Sequence, residues 1–256
     1  MKYLITGNKG FIGTNLTNYL LSKNEKVVGI DYPDDIYDSV PDHAGIDIIV
    51  HLAAETNVRT SIDNPENTII KNTVSTLHML EVAKQNNAHF IFASSCGAAS
   101  STNPYSASKL AGEAICKAYR RSYDMKVSVL RFSNVYGPHS DHKESVIAKF
   151  IKAKLNNEPV TIFGSGHQMR DFIHVSDVCK AIHECWDNYT EISSGTLTSI
   201  NTIIEMLDIK DIINDSPIEG EVFHPETFGW SGCEVGLKEG LASTLDWFSK
   251  LKNLIN

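Results

Sequence analysis

The chain has 256 residues, 42% of them hydrophobic, and a formal net charge of −8 without any basic run, which argues against a nucleic-acid binder or a protein drawn to an anionic membrane surface. The length supports a large core for one α/β unit or a close two-lobed one, and no apolar run is long enough to span a bilayer. The odd set of Cys96, Cys116, Cys179, Cys185 and Cys233 has no Cys-x-x-Cys spacing, which suits a reducing compartment and argues against a disulfide framework or a bound metal.

The first predicted strand starts at Met1, leaving no room for a signal peptide, so a cytoplasmic location is expected. It runs directly into Gly7-x-x-Gly10-x-x-Gly13, a wider variant of the Gly-x-Gly-x-x-Gly dinucleotide fingerprint. Glycines there permit a tight turn and a close approach of backbone to pyrophosphate. Phe11 and Ile12 open a predicted helix over about residues 11 to 23, whose first amides would point at the phosphates. The next strand, Val27 to Ile30, ends at Asp31, about twenty residues after the glycine turn. A carboxylate there accepts from ribose hydroxyls and repels an extra phosphate, which favours NAD over NADP. The rival reading is that Asp31 merely starts a turn with Pro33, Asp34 and Asp35.

Ile46 to Ala54 is a nearly continuous apolar run, as expected of a strand buried on both faces, and His89 to Ser95 and Lys126 to Arg131 are two more. Helical stretches of about residues 66 to 86 and 105 to 122 lie between them. Strand–helix alternation predicts a parallel sheet with right-handed crossovers and ligands beyond the carboxyl ends of the strands. Gly7, Asp31, Ala53, Ser95 and Asn134 all sit just past predicted strand ends. In the second helix Tyr105 and Lys109 are four residues apart, so both side chains share a face. A cation beside a phenol favours the phenolate, so the spacing predicts a tyrosine tuned toward neutrality and able to take a proton from a hydroxyl.

With these motifs in order, together with Ser94-Ser95, Arg131 to Pro138, Gly164 to Val175 and a closing helix around Trp247, the chain resembles the extended short-chain dehydrogenase/reductase family, in its nucleotide-sugar epimerase/dehydratase branch (UDP-glucose 4-epimerase-like). The resemblance implies a Rossmann-type doubly wound parallel sheet with a small C-terminal substrate-binding lobe. The NAD-binding part would be residues 1–135 with 170–188 returning to it, and the lobe 136–169 with 189–256. It implies Tyr105 as acid/base, Lys109 as its partner at the nicotinamide ribose, and Ser95 as donor to the reacting oxygen, with Ser94 as rival. Asn72 would buttress the site, Leu52, Ala53 and Ala54 would line the cofactor, and Asn134 and Arg170 would hold the substrate diphosphate. A second reading pairs Arg170 with Asp171 or another acid. Thr76, Leu77, Leu80, Ala83, Ile115, Ala118 and Tyr119 would supply a homodimer face, or else ordinary core.

Within the branch, 4,6-dehydratases resemble one another in a Thr-Asp-Glu triplet, where this chain reads Ser95-Cys96-Gly97, so C4 epimerisation of a UDP-hexose is favoured. The alternatives are a 4-keto-sugar reductase of the GDP-fucose synthase type, which Ser94-Ser95-Cys96 resembles, and a cofactor-binding protein without turnover. The chain also departs from the family. Only fifteen residues separate Asp31 from Asp47, too few for the usual third strand and helix, and only nine separate Ser95 from Tyr105. Before the last helix, Glu219 to Glu226 holds His224 but not the expected arginine.

Overall fold

The computed structural model describes residues 1–31, 45–184, 186, 189–216 and 229–255. The predicted turn at Pro33, Asp34 and Asp35, the fifteen-residue shortening, Cys185 and the Glu219 to Glu226 stretch fall wholly or mainly outside them. In chain order the elements are β1 (Lys2–Thr6), α1 (Phe11–Ser22), β2 (Lys26–Ile30), β3 (Ile48–His51), α2 (Val58–Asp63), α3 (Pro65–Asn86), β4 (His89–Ser95), a 3₁₀ turn (Cys96–Ala99), α4 (Pro104–Tyr123) and β5 (Val127–Phe132). There follow β6 (Asn134–Tyr136), α5 (Val146–Asn156), β7 (Val160–Phe163), β8 (Met169–His174), α6 (Val175–Glu184), β9 (Tyr189–Ile192), β10 (Leu197–Ser199), α7 (Ile200–Met206), β11 (Ile212–Asp215) and α8 (Leu237–Ile255).

These elements form two compact units, Met1–Phe132 with Cys179–Ile192, and Ser133–Val178 with Ser193–Asn256. The first holds a six-stranded parallel sheet in the order β2-β1-β3-β4-β5-β9. That is the doubly wound order 3-2-1-4-5-6 without its first edge strand among the described residues and with β9 added beyond the last. Neighbouring residues of β1 show the two faces. Leu4 joins a core with Met79, Leu80 and Ala83 of α3 and Cys116 of α4, whereas the Tyr3 hydroxyl meets His183 of α6 at 3.1 Å. Of these strands β1, β3, β4 and β5 are buried on both sides, which is why they read as unbroken apolar runs.

Two expected boundaries fall elsewhere. Tyr189–Ile192 pairs with β5 and belongs to the first unit, and Met169–Val178 belongs to the second, where β8 lies between β10 and β6. A four-residue strand carries too little periodicity to declare its partner. The second unit also holds a two-stranded parallel pair of β7 and β11 and a core of its own in which Phe150, Ile151, Ile203, Leu241 and Phe248 are buried.

Helix starts follow local chemistry. Asn103 caps α4 by accepting from the Ser106 amide at 2.9 Å, and Pro104 occupies the first turn, where its missing N–H costs nothing. That cap sets Tyr105 in the first turn of α4. The glycine turn is equally constrained, because a Cβ on Gly13 would lie 2.0 Å from the Gly7 carbonyl oxygen. Gly13→Ala should therefore push α1 off the turn and lower stability by about 1–3 kcal/mol, the usual cost of overpacking. A thermal unfolding midpoint equal to that of the parent would show that the turn yields.

Candidate active site

The turn between β1 and α1 has the shape that a dinucleotide needs. Gly7 adopts φ +74°, its N–H donates to Ile30 O at 2.8 Å, and Gly10 N–H donates back to Gly7 O at 3.1 Å. A Cβ on Gly7 would come within 3.0 Å of the Ala53 nitrogen, so a side chain there would fill the space beside β3. Gly10 caps α1 with no side-chain hydrogen bond, and no acid sits in the first turn, which leaves the leading amides for an anionic ligand. Asp31 ends β2 and accepts the Lys9 amide at 2.6 Å, so its carboxylate lies at the rim of this turn. Ala53 N–H is held by the Thr6 hydroxyl at 3.2 Å. The residues that would hold NAD are thus assembled: Gly7, Gly10, Gly13, Asp31 and the run Leu52, Ala53 and Ala54. Phe11 and Ile12 contribute backbone at the helix start, the Phe11 ring being buried.

The reactive groups gather where β4 meets α4. Ser95 Oγ accepts the Gly97 amide at 3.1 Å, and its hydroxyl is near enough to the Tyr105 phenol to act on its pKa. Ser94 faces the other way, as strand alternation requires, and donates to buried Glu113. Asn72 braces the helix start. Its Oδ1 accepts Glu55 N at 2.8 Å, and its Nδ2 donates to Ser108 Oγ at 2.9 Å, which in turn donates to Tyr105 O at 2.7 Å. Lys109 is buried and donates to Ala93 O at 2.8 Å, with its Nζ 5.0 Å from the Phe92 ring centroid and 6.0 Å from that of Tyr105.

The acid–base balance corrects one expectation. Burial pushes the Tyr105 phenol up to about 12, and the Ser95 hydroxyl only partly opposes it. The lysine does not bring the phenol toward neutrality, because Nζ is spent on Ala93 O and burial pulls Lys109 itself down to about 8. His51, wholly buried on Thr6 Oγ1 at 2.8 Å, is pulled down to about 3 by burial and by Lys109, so it is a neutral structural imidazole. Sequence reasoning missed Glu113, Arg131 and Ser108 in this neighbourhood. The available signal was Glu113 lying four residues beyond Lys109 on the same helical face.

In the second unit Asn134 and Arg170 line one cavity of about 180 Å³, together with Tyr136, Glu144, Ser145 and Phe172. Asn134 Nδ2 donates to Asp171 O at 2.9 Å. The Asp171 carboxylate accepts from Ser133 Oγ at 2.8 Å, Ser194 N at 2.8 Å and Thr196 N at 3.1 Å. As consecutive residues of β8, Arg170 and Asp171 point to opposite faces.

Lys109 also carries a stability consequence. Its pKa is lowered from 10.5 to about 8 by burial first. Below pH 8 both folded and unfolded chains hold the proton and the full desolvation cost is present; between pH 8 and 10.5 only the unfolded chain holds it, so the cost fades as pH rises. Lys109→Met should therefore be more stable than the parent at pH 7, with the advantage shrinking by about 3 kcal/mol toward pH 10. Urea unfolding across that range reads the gap, and a gap independent of pH would show that burial does not depress the Lys109 pKa.

Residues 3–200 match the profile described as the NAD dependent epimerase/dehydratase family. A candidate UDP-glucose 4-epimerase of Methanocaldococcus jannaschii is 32% identical, covering 95% of this chain and 97% of the relative. The alignment spans 297 positions, more than the 256 residues of the chain, so the shortening is internal. Among solved structures, the UDP-glucose 4-epimerase of Thermotoga maritima with UDP-glucose superposes with a TM-score of 0.90 at 27% identity, covering 98% of this chain and all of that one. MoeE5 in complex with UDP-glucose and NAD gives 0.89 at 28% identity, with 98% and 100% covered. With its glycine turn, terminal Asp31 and Ser95–Tyr105–Lys109 set, the chain belongs to the NAD-dependent epimerase/dehydratase family, as an enzyme of the epimerase kind.

Proposed function

We propose that the protein interconverts the C4 epimers of a nucleotide-diphosphate hexose, with a UDP-hexose as the first substrate to test. The observation that carries this reading is the buried Lys109 ammonium one turn along α4 from Tyr105, with Nζ 6.0 Å from the Tyr105 ring centroid, beside the end of β4 that carries Ser95. On this reading the Ser95 and Tyr105 hydroxyls both meet the sugar C4 oxygen. Bound NAD supplies reversible hydride acceptance. Tyr105 takes the C4 hydroxyl proton as its phenolate, the form that the positive charge of NAD would favour over the protonated resting phenol, and later returns it. Ser95 donates to the same oxygen through the 4-keto stage, and Lys109 adds positive charge from the same helix face. Asn134 and Arg170 hold the diphosphate, a task that suits a guanidinium fork.

Neither Cys96 nor Gly97 offers the carboxyl groups that dehydration at C5 and C6 would require. The reductase alternative needs Cys96 as a carbon-acid base, yet the thiol is buried and donates to Arg131 O at 3.6 Å. Both facts favour redox-neutral epimerisation. Proton NMR of the protein with UDP- and GDP-sugars and catalytic NAD, without reductant, should show a C4 epimer. Tyr105→Phe should cut kcat by about 10²–10⁴ and Ser95→Ala by about 10²–10³. Conversion that survives Tyr105→Phe would move the acid/base role to another residue.

The protein is further proposed to pair as a homodimer through α3 and α4. The residues expected for this are divided: Thr76, Leu80 and Ala83 are buried at 0–1% exposure within the first unit, whereas Leu77 and Ala118 are exposed. Ile70 (51%) and Val74 (40%) join Leu77 (42%) on the outer face of α3 at helical spacing, with Leu110 (41%) on α4. Ile70→Asp with Leu77→Asp should convert a sedimenting dimer into a monomer at micromolar concentration. A parent that sediments as a monomer would remove the pairing.

A further inference from the structure

The most connected polar group of the first unit is not one of the residues that the reaction uses. Glu113 is 7% exposed in the middle of α4. Arg131 of β5 grips it with two parallel hydrogen bonds, Nε to Oε1 at 2.8 Å and Nη2 to Oε2 at 2.7 Å. Ser94 of β4 donates to Oε1, and Tyr189 of β9 donates to Oε2 at 3.1 Å while its ring lies 4.7 Å from the Arg131 guanidinium carbon. One carboxylate thus joins a helix to three adjacent strands. Its contacts bear on the reacting set from two sides. Ser94 is the residue before Ser95, and Lys109 is one turn back along α4 on the same face.

We propose that Glu113 is a positioning residue: its carboxylate fixes β4, which carries Ser95, against α4, which carries Tyr105 and Lys109, and supplies the negative charge that keeps the Lys109 ammonium in an apolar interior. The groups that face Lys109 are Tyr105, Glu113 and Cys116 of its own helix and His51 of β3. Burial pulls His51 down to about 3 and pushes the Cys116 thiol up, so both are neutral in the working range. Burial is the largest influence on Lys109 and lowers it; Cys116 and then Glu113 oppose it, and with the Cys116 thiol held neutral Glu113 is the one of the two that brings a charge. Facing Glu113 itself are Arg131, Tyr189 and Ser94, whose donors satisfy both of its oxygens. A purely mechanical clamp would not need a charge, whereas this one carries it one turn along α4 from Lys109, on the same face.

The kinetic part of the test rests on the epimerase reading, and the titration does not. Lysine labelled with ¹³C in the full-length protein reports the Lys109 midpoint through its Cε shift, with Lys109→Met as the assignment control. In Glu113→Gln the midpoint should fall by about half a unit to one unit, and the alkaline limb of kcat should move down with it. kcat should drop by about tenfold while KM stays within about twofold of the parent, as expected for misaligned reacting groups. Glu113→Met with Arg131→Met, a buried pair replaced by apolar side chains, should recover the thermal midpoint without recovering kcat. Superimposable Lys109 titrations in parent and Glu113→Gln would overturn the charge role, and recovery of kcat in the double variant would reduce the cluster to a fold clamp. A parent that turns over no nucleotide sugar would refute the epimerase reading while the titration still decides the role of Glu113.

Discussion

The ammonium of Lys109, buried and away from water, sets the terms for everything around it. Removing such an ion from solvent costs several kcal/mol even after relaxation, so the fold must hold it with fixed partners or lose it to deprotonation. Ala93 O accepts from it at 2.8 Å, the Phe92 ring lies under it at 5.0 Å, and Glu113 faces it from the next turn. Each of these partners belongs to β4 or α4, so the charge is stable only while that strand and helix stay in register.

The close approach that this demands is visible at Gly112. A Cβ there would lie 2.5 Å from the tip of the Phe92 ring, so any larger residue would lift α4 away from β4. The same glycine therefore shapes the Lys109 pocket without touching the lysine. The Asn103 cap and the chain from Asn72 through Ser108 to the Tyr105 carbonyl then fix the start of α4, where the phenol sits. Helix, strand and cap converge on the short stretch between Ser95 and Lys109, and this explains how a loop of only nine residues before Tyr105 still keeps Ser95 and Tyr105 near each other.

Much of this was legible in the residues. Buried parallel strands print as unbroken apolar runs, and glycine spacing and the Tyr–Lys interval are local patterns, so β1 to β5, the turn and the catalytic helix could be read directly. What escaped is non-local. Glu113 has four partners on four elements, and only Lys109 is near it in sequence. The outer face of α3 was mixed with its inner one because both carry apolar residues, so Leu80 and Leu77, both expected outside, look alike until one is buried at 0% and the other is exposed at 42%. The pKa direction of Tyr105 escaped for a different reason. A neighbouring cation and burial act in opposite senses on a phenol, and which one wins depends on how deeply the site is buried and where the cation donates its hydrogen bonds.

That outcome bears on how the site would meet a substrate. With burial holding the phenol near 12, Tyr105 is protonated at neutral pH. A sugar oxygen entering beside Ser95 and Tyr105 would gain two protein–substrate bonds, worth about 1 kcal/mol net for each ordinary bond. The gain grows as negative charge develops on that oxygen, because charge-assisted bonds are roughly twice as strong. Truncating either hydroxyl then does more than delete one bond. It leaves the remaining hydroxyl and the developing charge unmatched in a site with little water, where an unmet polar group is costly. The Ser95–Tyr105 pair is thus the arrangement that a reacting oxygen has to meet, and its geometry, set from behind by Lys109 and Glu113, fixes where on the sugar proton transfer can occur.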